Sequence, residues 1–269
     1  MSSAEAHRDE FIKLLKTQSE DKCIEYINKY NDFYDTIYAN QGDENMLMYT
    51  CHRGLSRVAI ALIDKKCDLT YQVGCGYTSL IYASLYLLYK VVAHIIDNSQ
   101  DTITRCSKIG RQCSEMMFLC RDSNNNSSLI KMIDKGYDIY YQTSYDKESL
   151  ITEAIEYENV DIIKKLIDID TDFAKIFNIY YKKYKIKNYK YDAIVKYIND
   201  RHNAYKHEII ATMNDAIVKY INDRHNAFKH EIIAIMNDAS PTNMLYQSFH
   251  TTYAVQLVDV ICDYILLPI

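Results

Sequence analysis

Apolar residues recur at helical spacing along the first 174 residues, and short polar connectors separate the runs. A seven-residue motif, of which Leu62–Asp68 is a clear copy, marks the end of each run. Its five copies occupy 26–32, 62–68, 95–101, 132–138 and 166–172, so that their final aspartates lie 36, 33, 37 and 34 positions apart. A period near 33 with small variation is typical of a stacked helical repeat.

Each repeat predicts two helices. An apolar residue with a small or thiol-bearing residue three positions later marks a first helix, and a second apolar stripe begins eleven positions after it. The first-helix pairs are Leu47 with Thr50, Leu80 with Ala83, Met117 with Cys120, and Ile151 with Ala154. Each unit is therefore predicted to be a helix, a tight turn, a second helix and a polar connector that carries aspartate. In the third unit, 122–128 predicts a lengthened polar turn.

These units resemble ankyrin repeats. Thr78–Ala83 resembles the Thr-Pro-Leu-His-x-Ala start of that family, and Lys135–Ile139 resembles its Gly-Ala-Asp-Val ending. Asp43 and Asp146 stand where the family often places aspartate before the next repeat. The resemblance covers about 9–174, as four units behind an N-terminal cap. The family's proline is missing from every copy, and its inter-helix glycine is present only at Gly54, with Leu87, Asn124 and Glu158 at the matching places. The divergent composition is similar to that of ankyrin proteins of giant DNA viruses.

A second repeat follows the first. Residues 192–214 recur as 215–237 with identity at 21 of 23 positions, which indicates a recent tandem duplication. Val195–Asn199 echoes the ends of the ankyrin second helices, and Asp192 can cap a helix. We predict that each copy is a helical hairpin. The competing prediction is one continuous helix from about 191 to 238, in which the duplication would shift downstream residues by roughly 35 Å and rotate them by about 140°.

The expected fold is all-α: an ankyrin-type solenoid with short connector fingers, extended by duplicated hairpins and a C-terminal helical cap. The predicted regions are 1–174 for the solenoid, 175–239 for a Lys/Tyr-rich extension and 240–269 for the cap. A polar N-terminus and charge-broken apolar runs argue against a secretory leader and a membrane span. We expect a monomer in the cytoplasm, or in the host cytoplasm if the protein is viral.

Composition argues against catalysis. Six glycines and two prolines in 269 residues favour helices and leave no glycine-rich phosphate loop. The eight cysteines form no CxxC pair and are expected to be reduced core thiols, so we expect no metal and no cofactor. His202 and His207 lie about 140° apart on a helix and do not converge. The aspartate columns at 64/97/134/168 and 68/101/138/172 are expected to be structural.

The resemblance implies non-catalytic binding of a protein partner through the concave face and the fingers. Exposed connector side chains are the candidate contacts: Tyr71, Gln72, Tyr140, Tyr141 and Gln142. The alternative is a nucleic-acid or anionic-surface binder that uses the acid-free tract 180–191, where lysines alternate with tyrosines. Its candidate residues are Lys182, Lys183, Lys185, Lys187 and Lys190. The plainer interpretation of the tract is a solvated lysine face. A further alternative, which the family raises, is a substrate adaptor for ubiquitin ligation, although Leu267–Ile269 is at most the start of the box that this role requires.

Overall fold

The computed structural model describes residues 2–39, 42–184, 189–240 and 242–243, and these are mostly helical. The chain forms two compact units, Met1–Ile198 and Asn199–Ile269. The boundary falls inside the predicted 175–239 extension. Among the described helices, none is long and apolar enough to cross a membrane.

The first unit begins with helices α1 (Ser3–Lys16) and α2 (Glu20–Lys29), which pack on each other. Ser2 and Glu5 cap α1 reciprocally, because the Glu5 backbone N–H donates to Ser2 Oγ and the Ser2 N–H donates to the Glu5 carboxylate. Phe11 lies fully buried against Phe33, with ring centroids 4.8 Å apart. The predicted N-terminal cap is therefore a packed helix pair with an aromatic core.

Four further helix pairs follow. They are α3 (Met46–His52) with α4 (Ser56–Asp64), α5 (Ser79–Leu85) with α6 (Tyr89–Asn98), α7 (Glu115–Cys120) with α8 (Asn126–Asp134), and α9 (Leu150–Glu156) with α10 (Val160–Ile169). The first helices α3, α5, α7 and α9 pack on one another in chain order, and we call them the first-helix row. The second helices α4, α6, α8 and α10 do the same, beginning against α2, and form the second-helix row. Ala83 and Ala154 are fully buried between first helices, where a small side chain permits close approach.

The connector before each first helix is a finger with a common backbone conformation. In the first finger, β1 (Ile37–Tyr38) pairs antiparallel with β2 (Glu44–Asn45), and isolated bridges at Cys106–Ser114 and Gln142–Ser149 repeat the arrangement. Two residues before each helix cap, the backbone takes a positive φ. These residues are Asp43 (62°), Gly76 (85°), Gln112 (58°) and Lys147 (54°).

The turn inside each pair also uses a left-handed residue, except in the third unit. Gly54, Leu87 and Glu158 have φ of 75°, 58° and 52°, so two of the three positions hold a side chain where glycine is favoured. In the third unit a 3-10 turn at Ser123–Asn125 replaces this residue. The N-caps of the two helices in the third unit, Ser114 and Asn125, lie eleven positions apart. Those in the first unit, Asn45 and Leu55, lie ten positions apart. The lengthened turn is confirmed. Because of its extra residue, Met116 and Leu119 are the residues that lie two and five positions after the helix cap, as Leu47 and Thr50 do in the first unit. The predicted pair, Met117 and Cys120, is therefore shifted by one residue.

The first aspartate column links successive second helices. Asp64 Oδ1 lies 2.7 Å from His94 Nε2, and Asp134 Oδ1 lies 2.7 Å from Lys165 Nζ. Asp97 pairs with Lys131, and Asp168 accepts a hydrogen bond from Tyr197. In the second column, Asp68 and Asp138 accept backbone N–H donors two residues onward. Both columns therefore have structural partners, as the sequence predicts.

Helix α11 (Asp172–Tyr184) and the start of α12 (Tyr189–Asn237) close the first unit. Phe173, Phe177, Tyr191 and Ile194 are buried there, and the Tyr191 hydroxyl donates to the Ile155 carbonyl. Phe177 and Tyr191 lie 5.8 Å apart between ring centroids. The first turns of α12 thus complete the core of the stack.

The prediction of duplicated hairpins is wrong, because α12 is one continuous helix of 49 residues. The segment 189–237 contains neither glycine nor proline, so nothing in it favours a turn at the predicted position, 199–203. Hydrogen bonds from one turn to the next run through both copies, from His207 Nδ1 to Asn203 O at 2.7 Å and from His230 Nδ1 to Asn226 O at 2.6 Å. Residues 244–269, which hold most of the predicted C-terminal cap, lie outside the described residues.

Candidate functional site

Aromatic side chains form a continuous series along the first-helix row. His52 stacks on Tyr86 at 5.1 Å between ring centroids, and Tyr77 contacts both Tyr82 at 6.0 Å and Phe118 at 5.5 Å. With Arg121 and Tyr157, the series extends across all four of these helix pairs. We call it the aromatic row: Tyr49, His52, Tyr77, Tyr82, Tyr86, Phe118, Arg121 and Tyr157.

Arg121 continues the row by cation–π contacts. Its guanidinium carbon lies 4.6 Å from the Phe118 ring centroid and 5.7 Å from that of Tyr157. Behind it, the Glu153 side chain is 1% exposed and accepts from Arg121 Nε at 3.1 Å. Burial opposes ionisation of Arg121, but its hydrogen bonds to Glu153 outweigh that effect and raise its pKa. The buried glutamate therefore fixes a permanent positive charge between two aromatic rings.

His52 is supported in a similar way. The Glu44 side chain, 4% exposed, lies beneath it, with Oε1 3.3 Å from His52 Nδ1. Burial raises the pKa of the adjacent Tyr82, and the Glu44 carboxylate raises it further. The row thus carries two nitrogen-bearing side chains, each held from behind by a buried glutamate.

Glu153 belongs to a cluster that resembles a cation site in composition only. Cys113, Glu148 and Glu153 each place one ligand atom within 4.8 Å of the others. Arg121 Nη2 lies 3.1 Å from Cys113 Sγ, and Arg111 Nη1 lies 2.8 Å from Glu148 Oε1. These arginines contact all three side chains and balance the charge of the two carboxylates, so the arrangement fits a structural ion-pair network better than a metal centre.

A third glutamate, Glu115, is buried at the start of α7. Burial raises its pKa to about 7, although a hydrogen bond from Thr78 Oγ1 at 2.5 Å and the nearby Arg105 oppose the shift. Thr78 is the cap residue of α5, so this bond joins successive first helices. The contact therefore stabilises the first-helix row. Because Glu115 is buried, it is not available to a binding partner.

The row reaches solvent at its helix-turn edge. Tyr86 and Tyr157 are each 41% exposed, and Leu85 and Leu87 beside Tyr86 are 49% and 58% exposed. Large apolar side chains grouped on a surface, with fixed polar groups among them, are typical of protein-binding sites. Sequence reasoning missed this surface, because Tyr77, Tyr82 and Phe118 come together only through contacts between repeats.

Three of the predicted finger residues join neighbouring fingers. The Tyr71 hydroxyl donates to the Asp43 carbonyl at 2.9 Å, and the Tyr141 hydroxyl donates to the Gln112 carbonyl at 2.9 Å. Both acceptors are left-handed residues of the preceding finger. Gln72 Nε2 donates to Gly76 O at 2.8 Å and to Cys106 O of the next finger at 3.3 Å. These side chains have a structural function that the sequence did not predict.

The remaining finger candidates are exposed. Tyr140 is 56% exposed, stacks on Phe173 at 5.5 Å and donates to Asp170, while Gln142 is exposed beside its finger bridge. Tyr145, which was not among the candidates, is the most exposed tyrosine of the described fingers at 86%. Its position in the polar run before Ser149 is the signal that could have identified it.

The Lys/Tyr tract is only partly described. Lys182 is exposed on α11, the side chains of Lys183 and Lys190 are not described, and Lys185 and Lys187 lie outside the described residues. The tract's described tyrosines contact the stack: Tyr181 donates to Asp192 at 2.9 Å and Tyr191 is buried. Nucleic-acid binding by this tract remains a prediction.

The described cysteines are free thiols. Cys23, Cys51, Cys67, Cys113 and Cys120 are buried, and burial raises the pKa of each. Raised values keep the thiols protonated and unreactive at neutral pH.

No protein-family model matches this chain, and a comparison with curated proteins finds no match either.

Proposed function

We propose that the first unit is an ankyrin-type solenoid that binds a protein through the aromatic row, without catalysis. The ankyrin assignment is supported by four helix pairs in two packed rows, with a left-handed finger residue before every first helix.

The observation that carries the proposal is the arginine held between Phe118 and Tyr157. A buried carboxylate fixes its orientation, and its contact with the buried Phe118 ring leaves the neighbouring Tyr157 ring 41% exposed. Tyrosine and arginine dominate the energetics of protein interfaces, because they present large rigid areas with polar ends. Fixing them before binding lowers the entropy cost of association.

The test is affinity capture from the native cell, comparing the wild-type protein with a Tyr86→Ala/Tyr157→Ala variant. Both side chains are partly exposed, so the fold should persist, which circular dichroism checks. Lys90→Ala, exposed on α6 in the second-helix row, is the matched control. We expect a partner retained by wild type and control and at least tenfold depleted with the double variant.

Equal retention by all three proteins contradicts the use of this row. Salt-sensitive oligonucleotide binding that is lost when Lys182, Lys183, Lys185 and Lys187 become Gln contradicts the proposal as a whole. In that case each neutralised phosphate releases a counterion, and affinity falls steeply with ionic strength.

A further inference from the structure

The second compact unit exposes an apolar stripe along α12. Nine large apolar side chains between positions 205 and 235 are 41–64% exposed. Counting roughly 100° per residue, all but Val218 fall within an arc of about 140° on one side of the helix. They are Tyr205, Ile209, Ile210, Met213, Ile217, Val218, Tyr220, Phe228 and Ile235. Apart from Val218, they define the stripe.

We propose that this stripe pairs with the same stripe of a second copy of the chain, with the two helices antiparallel. The stripe is about 45 Å long at 1.5 Å per residue. Roughly 100 Å² from each half-exposed side chain gives on the order of 800 Å² per chain, the area that a standard specific interface buries on each partner. The stripe therefore suffices for a dimer, in contrast to the monomer expected from the sequence.

The charges within the stripe select the antiparallel direction. The duplication rotates the second copy by about 140° relative to the first, so only one lysine and one glutamate of the repeated Lys-His-Glu sequences enter the arc. They are Lys206, near one end, and Glu231, near the other; their duplicates Lys229 and Glu208 lie outside it.

In an antiparallel pair centred between Val218 and Lys219, Lys206 lies opposite the partner's Glu231. By two-fold symmetry, Glu231 lies opposite the partner's Lys206. A parallel pair would instead place Lys206 against its own copy, and likewise Glu231 and Arg224. Like charges that face each other across two helices are destabilising, whereas opposite charges set partner orientation.

The stripe's aromatic residues are already organised around a cation. The Arg224 guanidinium carbon lies 5.9 Å from the Tyr220 ring centroid and 5.7 Å from that of Phe228 on the same helix. Its alkyl stem covers part of the stripe, and its guanidinium is held against these two rings by cation–π contacts. Arg224 can therefore remain in a dimer interface without becoming an unpaired buried charge.

Sedimentation equilibrium of the full chain tests the pairing. We expect a mass of twice 31.5 kDa for the wild-type protein at micromolar concentration. Lys206→Glu and Glu231→Lys should each weaken the dimer by about tenfold or more, because each places like charges together at two symmetric positions. The double variant Lys206→Glu/Glu231→Lys should restore it.

The duplicated residues provide matched controls. Lys229→Glu and Glu208→Lys make the same charge changes in the same local sequence but outside the stripe, and should leave the dimer unchanged. A monomer at all concentrations would overturn the proposal. A dimer that responds equally to changes at Lys206 and Lys229, or that the double variant fails to restore, would overturn the antiparallel pairing.

Discussion

The helix-pair stack and the distal part of α12 use similar sequence to make different structures. Leu166–Asp168 ends a second helix of the stack, and the closely similar Tyr197–Asn199 lies within a helix that continues for another 38 residues. In the stack, each helix ends where its apolar face is already buried against neighbours. Beyond Ile198, the described residues of α12 are largely exposed. The contrast teaches that the repeat motif does not end a helix by itself, because tertiary packing around it decides how far the helix extends.

The largest expected effect comes from placing an aspartate at a buried position of the stack, in comparison with the same substitution at an exposed position of α12. Ala83→Asp should lower the free energy of unfolding by about 3 kcal/mol or more, because an unpaired carboxylate enters a fully buried contact. Ala211→Asp, at an exposed position of α12, should cost less than about 1 kcal/mol, which is the loss of helix propensity alone. Urea denaturation measures both. Equal effects would mean that the two regions do not differ in packing.

A pH-dependent effect should be confined to the stack. The pKa of Glu115 is raised from 4.5 to about 7 in the fold, so the folded state holds a proton that the unfolded state releases between these values. Its contribution therefore makes stability fall as pH rises from 4.5 to 7. Glu115→Gln should stabilise the protein by roughly 3 kcal/mol at pH 8 and leave it unchanged near pH 4. A stability difference that does not vary with pH would refute the raised pKa.

Removing one copy of the duplication should spare the stack. Deleting 215–237 shortens α12 by roughly 35 Å, and the deleted residues all belong to the second compact unit. The thermal midpoint of the stack should shift by less than about 2 °C, since neighbours in a stack contact only neighbours. The helical circular dichroism signal should decrease in proportion to the residues lost. Aggregation of the deletion variant would show that the second copy protects the stack.

A modest effect of opposite sign in the two regions concerns the side chains in left-handed turns. Leu87→Gly and Glu158→Gly should each stabilise the protein by about 1 kcal/mol, because glycine adopts a positive φ without strain. Lys219→Gly in the interior of α12 should cost about 1 kcal/mol of helix stability instead. Thermal melts followed by circular dichroism separate the two signs. Destabilisation at both turn positions would contradict the turn geometry.

The sequence predicted most of the stack correctly. Helical spacing, the period near 33 and the aspartate columns locate the helix pairs, since these signals arise from contacts that recur in each unit. Leu87 and Glu158 occupy glycine positions and were still placed in turns, because packing on both sides enforces the reversal.

The surface that we propose to bind a partner was much less predictable. Tyr71 and Tyr141 donate to carbonyls of the preceding finger, and those carbonyls become accessible only once two fingers lie side by side. The contact of Tyr77 with Phe118 likewise depends on how neighbouring units pack. For α12, the echo of the second-helix motif was misleading, while the lack of glycine and proline was the better guide.

A distance measurement within α12 tests most directly whether the two copies of the duplication form one continuous helix. Spin labels at positions 199 and 222 mark equivalent residues of the two copies, and dilution with unlabelled protein suppresses distances between chains. One continuous helix predicts a separation of about 35 Å with a narrow distribution. A separation near 10 Å, the spacing of packed neighbouring helices, would show that the copies fold as stacked hairpins and would contradict the division of the chain proposed here.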